Sequence, residues 1–187
     1  MRLKGKRILL GVSGGIAAYK SCDLASRLVK EGAVVTAILT KGARKFVTPY
    51  AFEALTGQPC LTRLFQRIAP GENPYPHIEP AREANLAVIA PATADLMAKL
   101  AHGLADELLP TLMLTVHCPV VICPSMNVQM WQHPATQANV KTLRSYGHTF
   151  VGPDSGSLAC GDTGAGRMSE PAVIVDAIVD RLKPSRK

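Results

Sequence analysis

The chain has 187 residues, 47% of them hydrophobic, 19% charged and 5% aromatic, with a net charge of +7. This length and apolar content suit one domain with a substantial core, and they exclude a disordered or low-complexity chain. No apolar run reaches the roughly 18 residues of a membrane span, and the basic start is followed by too short an apolar stretch for a signal peptide.

The first predicted element is a strand at Ile8–Val12, a continuous apolar run of the kind buried on both faces of a sheet. Ser13-Gly14-Gly15 breaks it, and residues 16–30 carry Ala17, Leu24, Ala25, Leu28 and Val29 at helical spacing, ending at Gly32. A second strand covers Val34–Leu39, and a short helix covers Pro49–Leu55. Residues 67–76, rich in Pro and Gly, read as a loop. A strand at Leu86–Ala90 leads into Pro91–Asp95 and a helix to about Leu100, and a further helix fits Asp106–Leu114. The strand Val120–Cys123 leads into Pro124–Asn127. A helix at 134–145, a short strand at His148–Val151, a long glycine-rich loop at 153–169 and an amphipathic helix at Ala172–Leu182 complete the chain. Alternation of this kind predicts a parallel sheet with helices on both faces, and the ligand of such a sheet sits at the carboxyl ends of its strands.

Three strand ends carry unusual chemistry. At Ser13-Gly14-Gly15 the glycines let backbone amides approach an anion at a helix N-terminus, and the Ser13 hydroxyl can donate to a phosphate. At Thr93-Ala94-Asp95 either end residue can cap a helix, and the segment is also a candidate cofactor-facing loop. At Ser125-Met126-Asn127 the Asn can orient a carboxylate or begin a helix, while Met126, Met130 and Trp131 pack a pocket wall. In the loop at 153–169, Cys160 is a thiol that can close over a site.

The five cysteines show no metal-ligand spacing and read as reduced thiols of a cytoplasmic protein, four of them as small core residues. The histidines at 77, 102, 117, 133 and 148 suggest no metal cluster. Basic residues are scattered, without interleaved aromatics, so the charge suits anionic small molecules rather than nucleic acid.

In this order, the segments resemble the flavin-containing cysteine decarboxylases, most specifically through Pro124-x-Met126-Asn127-x-x-Met130-Trp131 and through Cys160-Gly161-Asp162 to Gly166-Arg167-Met168. Within that family the likeness is strongest to the bacterial phosphopantothenoylcysteine decarboxylases, and it runs from about residue 6 to 182. The resemblance implies a single-domain, Rossmann-like (flavodoxin-like) fold with a substrate-covering lid at 153–169. It implies FMN as cofactor, and oxidation of the substrate's cysteine moiety to a thioaldehyde, loss of carbon dioxide and re-reduction of the enethiol to 4′-phosphopantetheine. His77 matches the base, Asn127 the holder of the substrate carboxylate, and Cys160 the proton donor. Ser13, Gly14, Gly15, Ile16, Thr40, Ala43, Phe46, Thr93, Ala94, Asp95 and Ser125 are candidates for the flavin. Met130, Ala159 and Gly161 join Asn127 and Cys160 as candidates for the substrate. Asp95 stands where the family carries Asn, and Pro80 stands where an aliphatic residue is expected, which shortens the helix there.

The resemblance further implies a homotrimer, or a multiple such as a dodecamer, with short helices around 48–56 and 106–115 at the interface. A phosphopantothenate–cysteine ligase domain or protein is the expected partner. Two alternatives share much of the pattern: a peptidyl-cysteine decarboxylase, and a non-catalytic flavin-binding regulatory subunit. A prenyl-flavin synthase has no use for Asn127 with Cys160, and a flavodoxin-type electron carrier is expected to be acidic and to lack the lid.

Overall fold

A computed structural model describes residues 1–64 and 78–183. Five parallel strands, β1 (Arg7–Val12), β2 (Val34–Leu39), β3 (Leu86–Ala92), β4 (Val120–Pro124) and β5 (Thr149–Phe150), pair in the order β2-β1-β3-β4-β5. β3 and β4 are buried along their whole length, because helices cover both of their faces.

One face packs under α1 (Ala18–Lys30), α2 (Pro49–Thr56) and α8 (Pro171–Arg181), with Leu10, Leu24, Leu28, Phe52, Ile174 and Ile178 in a shared core. The other face packs under α4 (Ala94–His102), α5 (Leu108–Met113) and α7 (Pro134–Ser145), around Ile89, Met97, Leu109, Ile122 and Leu143. α3 (Glu79–Glu83) has five residues and takes Pro80 in its first turn, where the missing N–H leaves no helical bond unmade.

Chain order and strand order diverge between β1 and β3. β1 is followed by β2 on one side, and the chain then crosses to β3 on the other side. A crevice opens at such a switch point, outside the carboxyl ends of the strands. α1 begins beside it after β1, and α4 begins beside it after β3.

Two local features differ from expectation. The stretch 153–169 is an antiparallel hairpin rather than a loop: β6 (Asp154–Ser157) pairs with β7 (Thr163–Arg167). Its glycines conceal the strand pattern, yet Gly166 is required by packing, since a Cβ there would collide with the Met126 carbonyl. The Gly166 carbonyl in turn accepts the Met126 N–H at 2.9 Å, which fastens β7 to the end of β4. Second, a five-residue helix, α6 (Val128–Gln132), follows β4. The expected loop 67–76 lies outside the described residues.

Candidate active site

The floor of the crevice is built by Ser13. Its hydroxyl donates to the Pro91 carbonyl at 2.7 Å and accepts the Thr93 N–H at 2.9 Å, and its own N–H donates to Pro91 at 3.2 Å. Ser13 is 2% exposed. The expectation that its hydroxyl faces a phosphate is therefore corrected: both hydrogen-bonding roles of the oxygen are taken by the end of β3, and burial leaves no approach for a ligand.

The amides beyond Ser13 are different. α1 starts only at Ala18, and the N–H groups of Gly14, Gly15 and Ile16 donate to no carbonyl among the described residues. They form a short run of free donors ahead of a helix, an arrangement that suits an anion. Gly14 is needed for another reason. A Cβ there would lie 2.7 Å from both the carbonyl carbon and Cα of Gly42, so two loops touch backbone to backbone. A Cβ on Gly15 would meet only a Thr93 methyl, at 3.6 Å.

Gly14, Gly15, Ile16, Thr93, Ser125, Met126, Asn127, Met130, Leu158, Ala159, Cys160 and Gly166 line one cleft of about 310 Å³. Within it Asn127 has two duties. Its Oδ1 accepts the Gln129 N–H at 2.7 Å, capping α6. That bond fixes the amide, so Nδ2 faces the hairpin. Nδ2 donates to Asp162 Oδ2 at 2.6 Å and lies 3.3 Å from Cys160 Sγ, which is itself 3.5 Å from the same Asp162 oxygen. Capping and site chemistry, posed as alternatives for Asn127, coexist on opposite ends of one side chain.

Several candidate residues are elsewhere. Thr93 lines the cleft and caps α4, accepting the Leu96 N–H, but Ala94 and Asp95 belong to the first turn of α4. The Asp95 carboxylate is exposed and pairs with Lys99 at 3.4 Å, so its charge is directed along the helix rather than into the cleft. Lys99 also pairs with Asp106 at 2.9 Å, and this bond holds the Asp106 carboxyl below its ordinary range. Thr40 Oγ1 accepts the Ala43 N–H within a 3-10 turn, Ala43 is wholly buried, and Phe46 is half-exposed; none of the three lines the cleft. Gly161 also lies outside the lining, and Trp131 packs toward the second core instead of the pocket wall. His77 lies outside the described residues.

A second cavity of about 260 Å³ adjoins the first, sharing Ile16, Ser125, Leu158 and Ala159 and adding Lys20 and Arg167. Both cations bond Glu170 Oε1, at 2.7 and 2.6 Å, and hold that carboxyl below its usual range. All five cysteines are free. Burial pushes Cys123 far up, Cys60 up to about 12, and Cys22 and Cys118 upward, whereas Cys160 is exposed. Leu158, Asp162 and Gly166 belong to the lid motif in the sequence but carry no individual role there; the hairpin pairing brings Leu158 and Gly166 to the cleft and the Asp162 carboxylate to Asn127.

Comparison with known proteins bears on this cleft. The family model named Flavoprotein matches residues 1–183. The chain belongs to the flavoprotein family. It is 47% identical over 184 residues to the coenzyme A biosynthesis bifunctional protein CoaBC of Escherichia coli, covering 98% of this chain and 45% of that protein. It is 45% identical over 173 residues to CoaBC of Bacillus subtilis, covering 92% and 42%. The chain thus spans less than half the length of these curated relatives.

Among solved structures of the family, a cysteine-to-serine mutant of a PPC decarboxylase complexed with pantothenoylaminoethenethiol superposes with a TM-score of 0.82, at 31% identity over 94% of this chain and 97% of the other. The FMN-dependent cysteine decarboxylase SpaF superposes at 0.80, with 32% identity over 96% and 97%. The described cleft fits a flavin mononucleotide in kind: free amides ahead of α1 suit its phosphate, and Ile16, Met126, Met130 and Leu158 offer an apolar wall for a ring.

Proposed function

We propose that the chain catalyses FMN-dependent decarboxylation of 4′-phospho-N-pantothenoyl-L-cysteine to 4′-phosphopantetheine, a lyase reaction of coenzyme A biosynthesis in the cytoplasm. The observation that carries this reading is the meeting of the Asn127 amide and the Cys160 thiol, 3.3 Å apart, in a cleft that also holds the free amides of Gly14–Ile16. Bound FMN supplies a two-electron acceptor that later returns the electrons, which is how a reaction with no net oxidation uses a flavin.

The residues act around that chemistry. Asn127 Nδ2, fixed by the α6 cap, holds the substrate carboxylate. Cys160, beside it, delivers a proton to the carbon chain after carbon dioxide has left. His77 takes a proton in the oxidation. The hairpin covers the substrate, with Met130 and Ala159 against it. Lys20 and Arg167 in the adjoining cavity share the one Glu170 carboxylate, and the net positive charge left over favours a phosphorylated substrate over a peptide C-terminus. The exposed apolar side chains of Ile16, Tyr19, Phe46 and Tyr50 support assembly as a homotrimer or a multiple of it. In the other expected interface helix, α5, Leu108, Leu109 and Leu112 face the chain's own core, and Leu104 and Leu114, to either side of it, are exposed. A phosphopantothenate–cysteine ligase domain or protein completes the set of partners.

The test is to load the purified chain with FMN, add the substrate and follow carbon dioxide. Wild type releases carbon dioxide and makes 4′-phosphopantetheine. Cys160→Ser still releases carbon dioxide and accumulates the enethiol. A loaded protein that releases none from this substrate would sink the proposal.

A further inference from the structure

The Asp162 carboxylate has no part in the reaction just described, yet it makes the shortest polar contact that Asn127 has. Asn127 Nδ2 donates to Asp162 Oδ2 at 2.6 Å, shorter than the 3.3 Å to Cys160 Sγ. The amide cannot turn away from this contact without breaking the α6 cap, since its Oδ1 is held by Gln129 N–H. Asp162 sits at the turn of the hairpin, where its own carbonyl accepts the Leu158 N–H at 2.8 Å. The backbone bond thereby holds residue 162 in the turn whether or not its side chain is bonded.

We infer that Asp162 is a built-in surrogate for the carboxylate of the substrate and sets the site's selectivity between substrate and product. This inference rests on the reading of Asn127 as the carboxylate holder. The two hydrogens of Asn127 Nδ2 are both engaged, one by Asp162 Oδ2 and the other by Cys160 Sγ, and like charges brought together repel. A substrate carboxylate therefore displaces Asp162 from Asn127 as it enters. Once carbon dioxide has left, the ligand carries no carboxylate to hold Asp162 off. The aspartate returns to Asn127, beside Cys160, and the hairpin resets over a ligand that no longer competes for the amide. Asp162 acts through Asn127 and is a positioning residue.

The experiment uses the FMN-loaded protein and two unreactive ligands that differ in one group. One is the substrate analogue with alanine in place of cysteine, which keeps phosphate and carboxylate and has no thiol to oxidise. The other is its counterpart ending in ethylamine, which keeps the phosphate and lacks the carboxylate. Both bind by calorimetry to wild type, Asp162→Ala and Asp162→Glu. In Asp162→Ala the dissociation constant of the carboxylate ligand falls at least threefold, and that of the counterpart stays within twofold. Asp162→Glu restores the wild-type ratio. Equal changes for both ligands, as a general charge or hairpin effect gives, overturn the inference, and so does no change.

If wild type binds neither ligand, the substrate assignment fails and the surrogate is decided with acetate as probe. In nitrogen-15 spectra the Asn127 side-chain amide shifts with added acetate in Asp162→Ala and stays put in wild type. An amide that responds alike in the two proteins overturns the role of Asp162.

Discussion

The contact between Gly14 and Gly42 makes a quantitative prediction that separates packing from ligand binding in one loop. Gly14→Ala adds a Cβ that begins 2.7 Å from two backbone carbons of Gly42. Carbon atoms are comfortable at about 3.5–4.0 Å, so the loops must part by close to ~1 Å, and no side chain is present to yield. Overpacking of this kind costs ~1–3 kcal/mol. At about 2–4 °C per kcal/mol for a chain of this size, the apoprotein melts ~2–12 °C lower. Gly15→Ala is the control. Its Cβ finds an ordinary contact at 3.6 Å, so folding is unaffected, but the methyl enters the cleft beside the free amides. Losing even one charge-assisted amide contact weakens FMN binding about tenfold. The assays are calorimetric melting of the apoproteins at one fixed concentration, and quenching of FMN fluorescence on titration. Gly14→Ala lowers melting temperature and FMN affinity together, whereas Gly15→Ala lowers affinity alone. Melting of Gly14→Ala within 1 °C of wild type, or equal destabilisation by both variants, would refute the packing account.

Asn127→Asp keeps an acceptor for the Gln129 N–H but replaces the donor that faces the cleft. Made in an Asp162→Ala background, where no second carboxylate faces it, it melts near its parent and loses carbon dioxide release, while Asn127→Ala also loses the cap and ~1 kcal/mol of stability; equal melting of the two variants in calorimetry would contradict the dual role. Burial holds His148 below its ordinary value of 6.5, so it stays neutral in the fold while the unfolded chain binds a proton below that pH. Stability is therefore full above 6.5 and declines as the pH falls beneath it, and His148→Gln flattens that part of the urea-midpoint profile. Light scattering on the FMN-loaded chain yields the mass of a trimer or a multiple of it; a monomer that still holds flavin would exclude a shared site.

The strands were legible because β1, β3 and β4 are nearly continuous apolar runs, as a sheet buried on both faces demands, and the edge strand β2 is one broken only by Thr36. The longer helices followed from their apolar stripes, whereas α6, with five residues and only Val128 buried, shows no stripe. Ser13 misled because the partners that consume its hydroxyl lie 78 and 80 residues away, a pairing that no local motif displays. Asp95 read as a cofactor contact by its position after a strand, but Lys99, one turn on, draws its charge aside. The hairpin was hidden because glycines chosen for close packing against Met126 and Val128 erase the alternation of a strand. With the hairpin hidden, the carboxylate it delivers to Asn127 was hidden too.

The double duty of Asn127 has a consequence for how such a chain could change over generations. Its oxygen starts a helix, so replacing it weakens the scaffold along with the reaction. Cys160 stands at an exposed turn whose backbone bonds, Leu158 N–H to Asp162 and Gly161 N–H to Leu158, do not involve its side chain. A descendant that abandons chemistry and retains the flavin can therefore drop the thiol in a single step with its architecture intact, whereas giving up the amide requires compensation elsewhere.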